Sequence, residues 1–198
     1  MRTFNIDLYL YSELSEKAKE NALNWWQETY FEYVECFNAQ EICDSMIKCI
    51  EAAGLKILDW EVGRCRGSYV VIDKFDGGNL VGKRAWAWIE NNLFSQFRIP
   101  YIGDRRKAVS KYGKYYRAGM ITPCPFTGYC FDEELIDALK ERILKGDTIR
   151  GAFEYLAYVA SKAIEREWEE QLSEPYFADH ADANNFEFTI DGHFWKGV

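Results

Sequence analysis

Histidine is almost missing from this sequence, with His180 and His193 the only two in 198 residues. Imidazole is the usual base beside a serine or cysteine nucleophile, so two copies leave few ways to assemble such a centre. His180 precedes Asp182 by two residues, and a pairing with Cys124 or Cys130 can be drawn, but no nucleophile elbow surrounds either. A surface or helix-capping histidine is the simpler expectation. The six cysteines, Cys36, Cys43, Cys49, Cys65, Cys124 and Cys130, contain no C-x-x-C pair. Cys124 and Cys130 with two distant histidines do not match the short ligand spacings of common zinc sites. Buried free thiols in a reducing compartment are expected instead. A phosphate cradle is missing as well: Gly77-Gly78 followed by Gly82-Lys83-Arg84 lacks the strand, the spacing and the Ser or Thr of a P-loop. No catalytic residue, cofactor or metal ligand is therefore assigned.

Long apolar runs are also absent. Nowhere do about 18 apolar residues stand together, which excludes an ordinary membrane-spanning helix. Met1-Arg2-Thr3-Phe4-Asn5 carries no apolar h-region, so secretion is not expected and a cytoplasmic location is. Proline is scarce, and no linker-like stretch suggests a cut. One domain over residues 1–198 is expected, with two small lobes as the weaker alternative.

What is abundant is aromatic surface and charge. Aromatic residues make up 17% of the chain, seven of them Trp, which suits a small core filled by large rings or an interface built on ring anchors. The net charge of −8 is unevenly spread. Residues 1–60 carry five basic and eleven acidic side chains, residues 98–117 seven basic and one acidic, and residues 118–198 seven basic and sixteen acidic. The overall sign disfavours nonspecific binding to a nucleic-acid backbone and favours a basic partner.

The hydrophobic pattern predicts an α+β fold, an antiparallel sheet of about four to five short strands with helices packed on it. Period-two alternation predicts a strand over 4–10. Leu14, Ala18, Ala22 and Trp26 form one stripe of a helix starting near Ser12 or Ser15. A second helix is predicted from about Ala39 to Ala53, ended by Gly54. A hairpin follows over 56–65 and 68–73, then a helix from about Leu80 to Phe97 ended by Pro100. Residues 98–125 show no sustained period and read as a basic, Tyr-rich irregular loop or insertion. Two more helices are expected, from about Asp132 to Leu144, capped by Asp132, and from about Thr148 to Leu172, stopping before Pro175. Phe186 to Ile190 reads as a last strand that turns at Asp191-Gly192 and pairs with Phe194-Trp195.

Three stretches carry a resemblance: Glu13-Leu14-Ser15-Glu16-Lys17-Ala18-Lys19-Glu20-Asn21-Ala22-Leu23, the central Thr127-Gly128-Tyr129-Cys130-Phe131-Asp132, and Asn184-Asn185-Phe186-Glu187-Phe188-Thr189-Ile190-Asp191-Gly192. The chain resembles a group of small bacteriophage- and prophage-encoded proteins with an ELSxxAKxxAL helix, a TGYCFD segment and an N-x-[YF]-x-F-T-x-[DN]-G end. Glu169-Glu170-Gln171-Leu172-Ser173-Glu174-Pro175-Tyr176 is similar to the E-Y-x-x-S-x-E-Y segment of that group. It departs at Cys65-Arg66-Gly67-Ser68-Tyr69-Val70-Val71-Ile72, where the group often has an acidic C-Q-G-D-G-A-[SC]-F turn, so a role needing that aspartate does not carry over.

Two surfaces are candidates for binding. Glu165, Glu169 and Glu170, with Glu167, make a dense acidic helix, which reads as a solvated face, a carboxylate pair for acid–base work or a hard cation, or an imitation of phosphate charge. Arg105, Arg106, Lys107, Lys111, Tyr112, Lys114, Tyr115, Tyr116 and Arg117 interleave cations and rings, as RNA or single-stranded nucleic acid would require, or pair with acidic surfaces of this chain or of another. The resemblance and the missing catalytic signatures together favour a non-enzymatic, phage-encoded, anti-CRISPR-like inhibitor acting in the infected bacterial cytoplasm. Its partner would be a bacterial defence nuclease or RNA-guided ribonucleoprotein complex, and no membrane. A divalent-metal-dependent hydrolase or nuclease using clustered carboxylates, and a prophage antitoxin-like regulator, are the alternatives.

Overall fold

The computed structural model describes residues 6–33, 37–63, 67–94 and 124–195. They group into two compact units, one drawn from Met1–Asn38 and Glu165–Val198, the other from Ala39–Ile164.

In the first unit, strand β1 (Tyr9–Leu10) pairs antiparallel with β4 (Glu187–Phe188), Tyr9 opposite Phe188 and Leu10 opposite Glu187. The run predicted as a strand over 4–10 is thus strand only at its last two residues among those described. Its partner is equally short, because the chain after Phe188 turns back and Thr189 N–H donates to the His193 carbonyl at 2.9 Å. Phe188 also bridges Phe194, as the turn at Asp191-Gly192 predicts. After a short 3-10 turn (Tyr11–Glu13), helix α1 (Glu16–Tyr33) begins behind Ser15, whose hydroxyl accepts from Ala18 N–H at 3.4 Å. The predicted stripe of Leu14, Ala18, Ala22 and Trp26 is buried.

Helix α7 (Glu174–Ala183) completes this unit. Pro175, read from sequence as a stop, lies in its first turn. A proline there removes an N–H that has no intrahelical partner anyway, and Ser173 caps the helix by accepting from Tyr176 N–H at 3.4 Å. Asn185 ends α7 in the left-handed region (φ 51°) while Phe186 N–H donates to the Ala181 carbonyl at 2.9 Å.

In the second unit, α2 (Phe37–Ala52) buries Ile42, Cys43, Met46, Cys49 and Ile50, and Gly54 at φ 74° ends it as expected. Strands β2 (Ile57–Glu61) and β3 (Tyr69–Ile72) form the predicted hairpin, with a register shift between Ile57 and Asp59. Helix α3 (Gly82–Asn92) is shorter than the predicted 80–97 at its start, because Val81 is drawn into an extended bridge with Thr148. It also ends earlier than predicted, at Asn92 with Leu93 as its C-cap, while the predicted stretch from residue 95, with Pro100, lies outside the described residues. Helix α4 (Phe131–Leu144) matches its prediction to within one residue.

The segment predicted as one helix over 148–172 is two, α5 (Ile149–Glu154) and α6 (Leu156–Gln171). No Gly or Pro separates them. Tyr155 remains in the right-handed helical region, but the Tyr158 N–H returns to its carbonyl at 3.0 Å, so one 3-10 turn tightens the joint. The Arg142 guanidinium lies 4.3 Å from the Tyr155 ring centroid on the same side of the unit. Residues Leu156, Ala160, Ala163 and Ile164 of α6 are buried as predicted, and Trp168 is half-buried.

The architecture is α+β, yet the expected sheet of four to five strands is not formed. The described strands make two separate two-stranded antiparallel sheets, β1 with β4 and β2 with β3. The pairing of the chain's two end regions and the local hairpin satisfy their backbone groups independently, one in each unit.

Candidate functional site

The residues that carry the sequence resemblance prove to be consumed by the fold. In the first unit, the ELSxxAKxxAL helix and the final strand-turn lie against each other. A Cβ on Gly192, itself at φ 82°, would stand 2.0 Å from the Ala18 carbonyl oxygen. Asn21 Nδ2 donates to the Asp191 carbonyl at 2.9 Å and holds the same turn. Around them Trp25 stacks on Phe194 at 4.2 Å, Trp26 on Phe177 at 5.3 Å, and Phe186 meets Phe194 at 5.1 Å. Trp26 Nε1 and Gln27 Nε2 donate at 2.9 Å to the carbonyls of Gln171 and Leu172, satisfying acceptors that the end of α6 leaves without intrahelical partners.

His180 belongs to this aromatic packing, neither a free surface group nor a side-chain cap. Its ring lies 4.9 Å from Trp26 and is stacked on Tyr176 at 6.0 Å. The role of Trp as core filler is likewise uneven: Trp26 is buried, Trp25, Trp86, Trp88, Trp168 and Trp195 are half-buried, and Trp60 on β2 is 38% exposed.

The TGYCFD segment builds a buried polar knot in the second unit. Asp132 is fully buried and its carboxylate accepts from Phe126 N–H at 2.7 Å, Thr127 N–H at 2.9 Å and Gly128 N–H at 3.2 Å. The Thr127 hydroxyl donates to the other carboxylate oxygen at 3.1 Å and lies 2.7 Å from the hydroxyl of the fully buried Ser45. Asp132 therefore does not cap α4 in the ordinary sense. It sits inside the first turn and reaches back to order the loop before it, which the sequence pattern of an acidic residue at a helix start does not distinguish. With every oxygen of the carboxylate engaged and Ser45 shut from solvent, the knot holds a loop in place.

Cys43, Cys49 and Cys124 are held toward their protonated, weakly nucleophilic form. Burial, with Asp44 beside it, pushes Cys43 up to about 11, and burial, with Asp132 adding, pushes Cys49 well up. Burial also raises Cys124, followed by the charge of Asp132. The expectation that all thiols are buried holds for Cys43 and Cys49 but not for half-buried Cys124 or exposed Cys130; these two end the loop that Asp132 orders, close to the surface. Cys36 and Cys65 lie outside the described residues.

Each unit also presents open surface among the described residues. The second unit has a groove of about 820 Å3 between the hairpin and the loop over 73–80, lined by Leu58, Ile72, Phe75, Leu80 and Arg150 among others. Arg150 is not presented to it as a free cation: its guanidinium donates to the Ile72 carbonyl at 2.5 Å and the Asp73 carbonyl at 3.0 Å, and lies 5.5 Å from the Phe75 ring. Arginine here ties a loop to the start of α5, helped by Arg150 N–H donating to the Gly78 carbonyl at 3.0 Å.

The first unit instead presents acid. From Glu165 to Trp195 there are nine carboxylates and one arginine, and seven of the nine are exposed. Of the acidic residues singled out by sequence, Glu169 and Glu170 are exposed, whereas Glu165 and Glu167 are half-buried. The dense face is thus split, as a helix turning 100° per residue requires of four glutamates within six positions. Sequence reasoning passed over Glu174, Asp179 and Asp182, which α7 brings to the surface. The signal for them, a serine cap followed by Glu-Pro, was present. The nine residues of the basic Tyr-rich loop, Arg105 through Arg117, lie outside the described residues.

Among the described residues no His, Cys, Asp or Glu side chains gather in threes as a metal site requires. No helix among them is long and apolar enough to cross a membrane. Comparison with protein-family models, with curated proteins and with solved structures finds no match to the chain.

Proposed function

We propose that the chain is a non-enzymatic inhibitor that uses exposed carboxylates to occupy a basic, nucleic-acid-handling surface of a bacterial defence nuclease or RNA-guided complex. The observation that carries this reading is the acidic surface of the first unit, where Glu169, Glu170, Glu174, Asp179, Asp182, Glu187 and Asp191 are exposed over an aromatic core. Carboxylates on a rigid support imitate a row of phosphates without the cost of ordering a flexible chain. The resemblance to phage-encoded proteins supplies the setting, the cytoplasm of an infected bacterium. The thiols of Cys43 and Cys49, held protonated by burial, and the buried Asp132 carboxylate, committed to loop N–H groups, favour binding over covalent chemistry. The basic Tyr-rich segment offers a second contact, toward RNA or an acidic patch.

The test is an affinity capture from nuclease-treated bacterial lysate, washed at low and high salt, with bound proteins identified by mass spectrometry. One nucleic-acid-handling complex should be retained at low salt and released at high salt. Glu169→Gln combined with Glu170→Gln should reduce its recovery. Recovery of no such complex, or retention that the charge removal leaves unaltered, overturns the reading.

A further inference from the structure

Strand β2 keeps an open edge among the described residues, and the hydrogen-bond alternation of the hairpin says which groups it offers. The Ile72 carbonyl on β3 points out of the hairpin, where the Arg150 guanidinium of α5 donates to it at 2.5 Å. Outward-facing residues recur at every second position of an antiparallel strand, and the residue opposite an outward one is outward on its own strand. Val70 is therefore outward on β3, and its partner Trp60 presents N–H and C=O at the β2 edge. The β3 edge is closed, since Val70 and Ile72 are buried and Arg150 occupies its end. The β2 edge is not: Leu58, Asp59 and Trp60 are exposed, Leu58 at 55%.

Exposed edges invite strand addition and are commonly blunted by Lys, Pro or a covering loop. The β2 sequence, Ile57-Leu58-Asp59-Trp60-Glu61, has neither Lys nor Pro. Its guard is Asp59, whose Oδ1 accepts from the Trp60 N–H at 2.9 Å while Oδ2 accepts from the Tyr69 hydroxyl at 3.0 Å. One carboxylate thus covers the outward N–H, and a cation that draws the carboxylate away uncovers it. Pairing with Val71 and Tyr69, both exposed, places Asp59 and Glu61 on the solvent face of the hairpin, with Trp60 on the opposite face beside Val70. A strand laid along this edge meets acid, indole and acid in succession. A second copy of β2 is a poor occupant, because two such strands crossing antiparallel at Trp60 set Asp59 of one against Glu61 of the other.

We propose that the β2 edge is a docking site for an extended segment of a partner protein in which basic and apolar side chains alternate. The apolar residue stands opposite Trp60 and exchanges both backbone hydrogen bonds with it, while the flanking basic residues face Asp59 and Glu61. The Asp59 carboxylate turns from the Trp60 N–H to the incoming cation and keeps its Tyr69 anchor. The edge therefore opens to basic strands and stays guarded against acidic ones. This site belongs to the second unit, whereas the exposed carboxylates of the proposed function belong to the first.

Titration of the full chain with the capped peptide acetyl-Val-Arg-Val-Arg-Val-amide, followed by amide NMR, tests the assignment. The peptide should bind, shift the Trp60 amide and slow its hydrogen exchange, and the Val-Glu-Val-Glu-Val counterpart should not. Methylating the backbone nitrogen of the central valine removes a donor aimed at β2 and should weaken binding about ten-fold. Methylating that of an arginine, whose N–H points away from β2, should leave binding unchanged. Asp59→Asn should weaken binding about five-fold, and Glu169→Gln combined with Glu170→Gln should not change it. No binding, indifference to methylation at the central valine, or wild-type binding by Asp59→Asn overturns the site. So does a loss confined to the Glu169→Gln, Glu170→Gln variant, which would put the peptide on the first unit, or sedimentation of the free chain as a dimer that Asp59→Asn disperses, which would make a second copy the occupant. Because the lysate capture depends on the carboxylates of the first unit and these titrations on the edge of β2, the two ideas fall separately.

Discussion

Ala18 and Gly192 are in backbone contact so close that the glycine hydrogen is the largest substituent the carbonyl of Ala18 admits, a Cβ falling 2.0 Å from its oxygen. The backbone at Gly192 is also left-handed, at φ 82°, where an L-residue is strained. Gly192→Ala is therefore expected to cost about 3 kcal/mol by combining overpacking with backbone strain. Chemical denaturation of the purified variant measures this directly, and Gly146→Ala, at φ 99° with open space around it, isolates the strain from the clash.

Asp132 should behave as a keystone of the loop before α4. Asp132→Ala strips an acceptor from three backbone N–H groups and from Thr127, and is expected to cost about 3 kcal/mol or more. Asp132→Asn keeps the shape and part of the accepting capacity, and should lie between wild type and alanine. Amide hydrogen exchange would place the loss of protection at Phe126, Thr127 and Gly128.

Tyr11 predicts a stability change at high pH. Burial first, then the charges of Glu174 and Glu16, push Tyr11 up to about 12, above the ordinary value of 10.0, so the unfolded chain releases the proton first. The contribution is fully present below about pH 10 and is lost as pH rises toward 12. Wild type should therefore lose more stability than Tyr11→Phe over that window, and the two should run in parallel between pH 7 and 9. Denaturant midpoints at matched pH values decide it.

Thiol labelling should follow burial. Cys130, exposed at the end of the ordered loop, should be alkylated well before Cys43 and Cys49, which react only when the second unit opens. Peptide mapping after brief maleimide treatment reads the order, and denaturant should abolish the difference.

Much of this molecule follows from local periodicity. The stripe of Leu14, Ala18, Ala22 and Trp26, the inner face of α2 and the β2–β3 hairpin are legible because burial repeats every three to four residues on a helix and every two on a strand. What tertiary structure decided lies where a residue's meaning depends on a distant neighbour. Pro175 carries equal information for ending one helix and opening the next, and only Ser173 placed as a cap resolves it. Asp132 looks like any acidic residue in a first turn until three loop N–H groups converge on it. Gly192 reads as an ordinary turn glycine, yet it is required by a carbonyl 174 positions away, a number of residues no local window spans. The four strands could have made one sheet by pattern alone; which edges meet is set by the packing of each unit, and here each pair closes separately. The acidic surface shows the same division. Its charge is written in the composition, but which of its carboxylates stay exposed is settled only when α7 folds over the aromatic core.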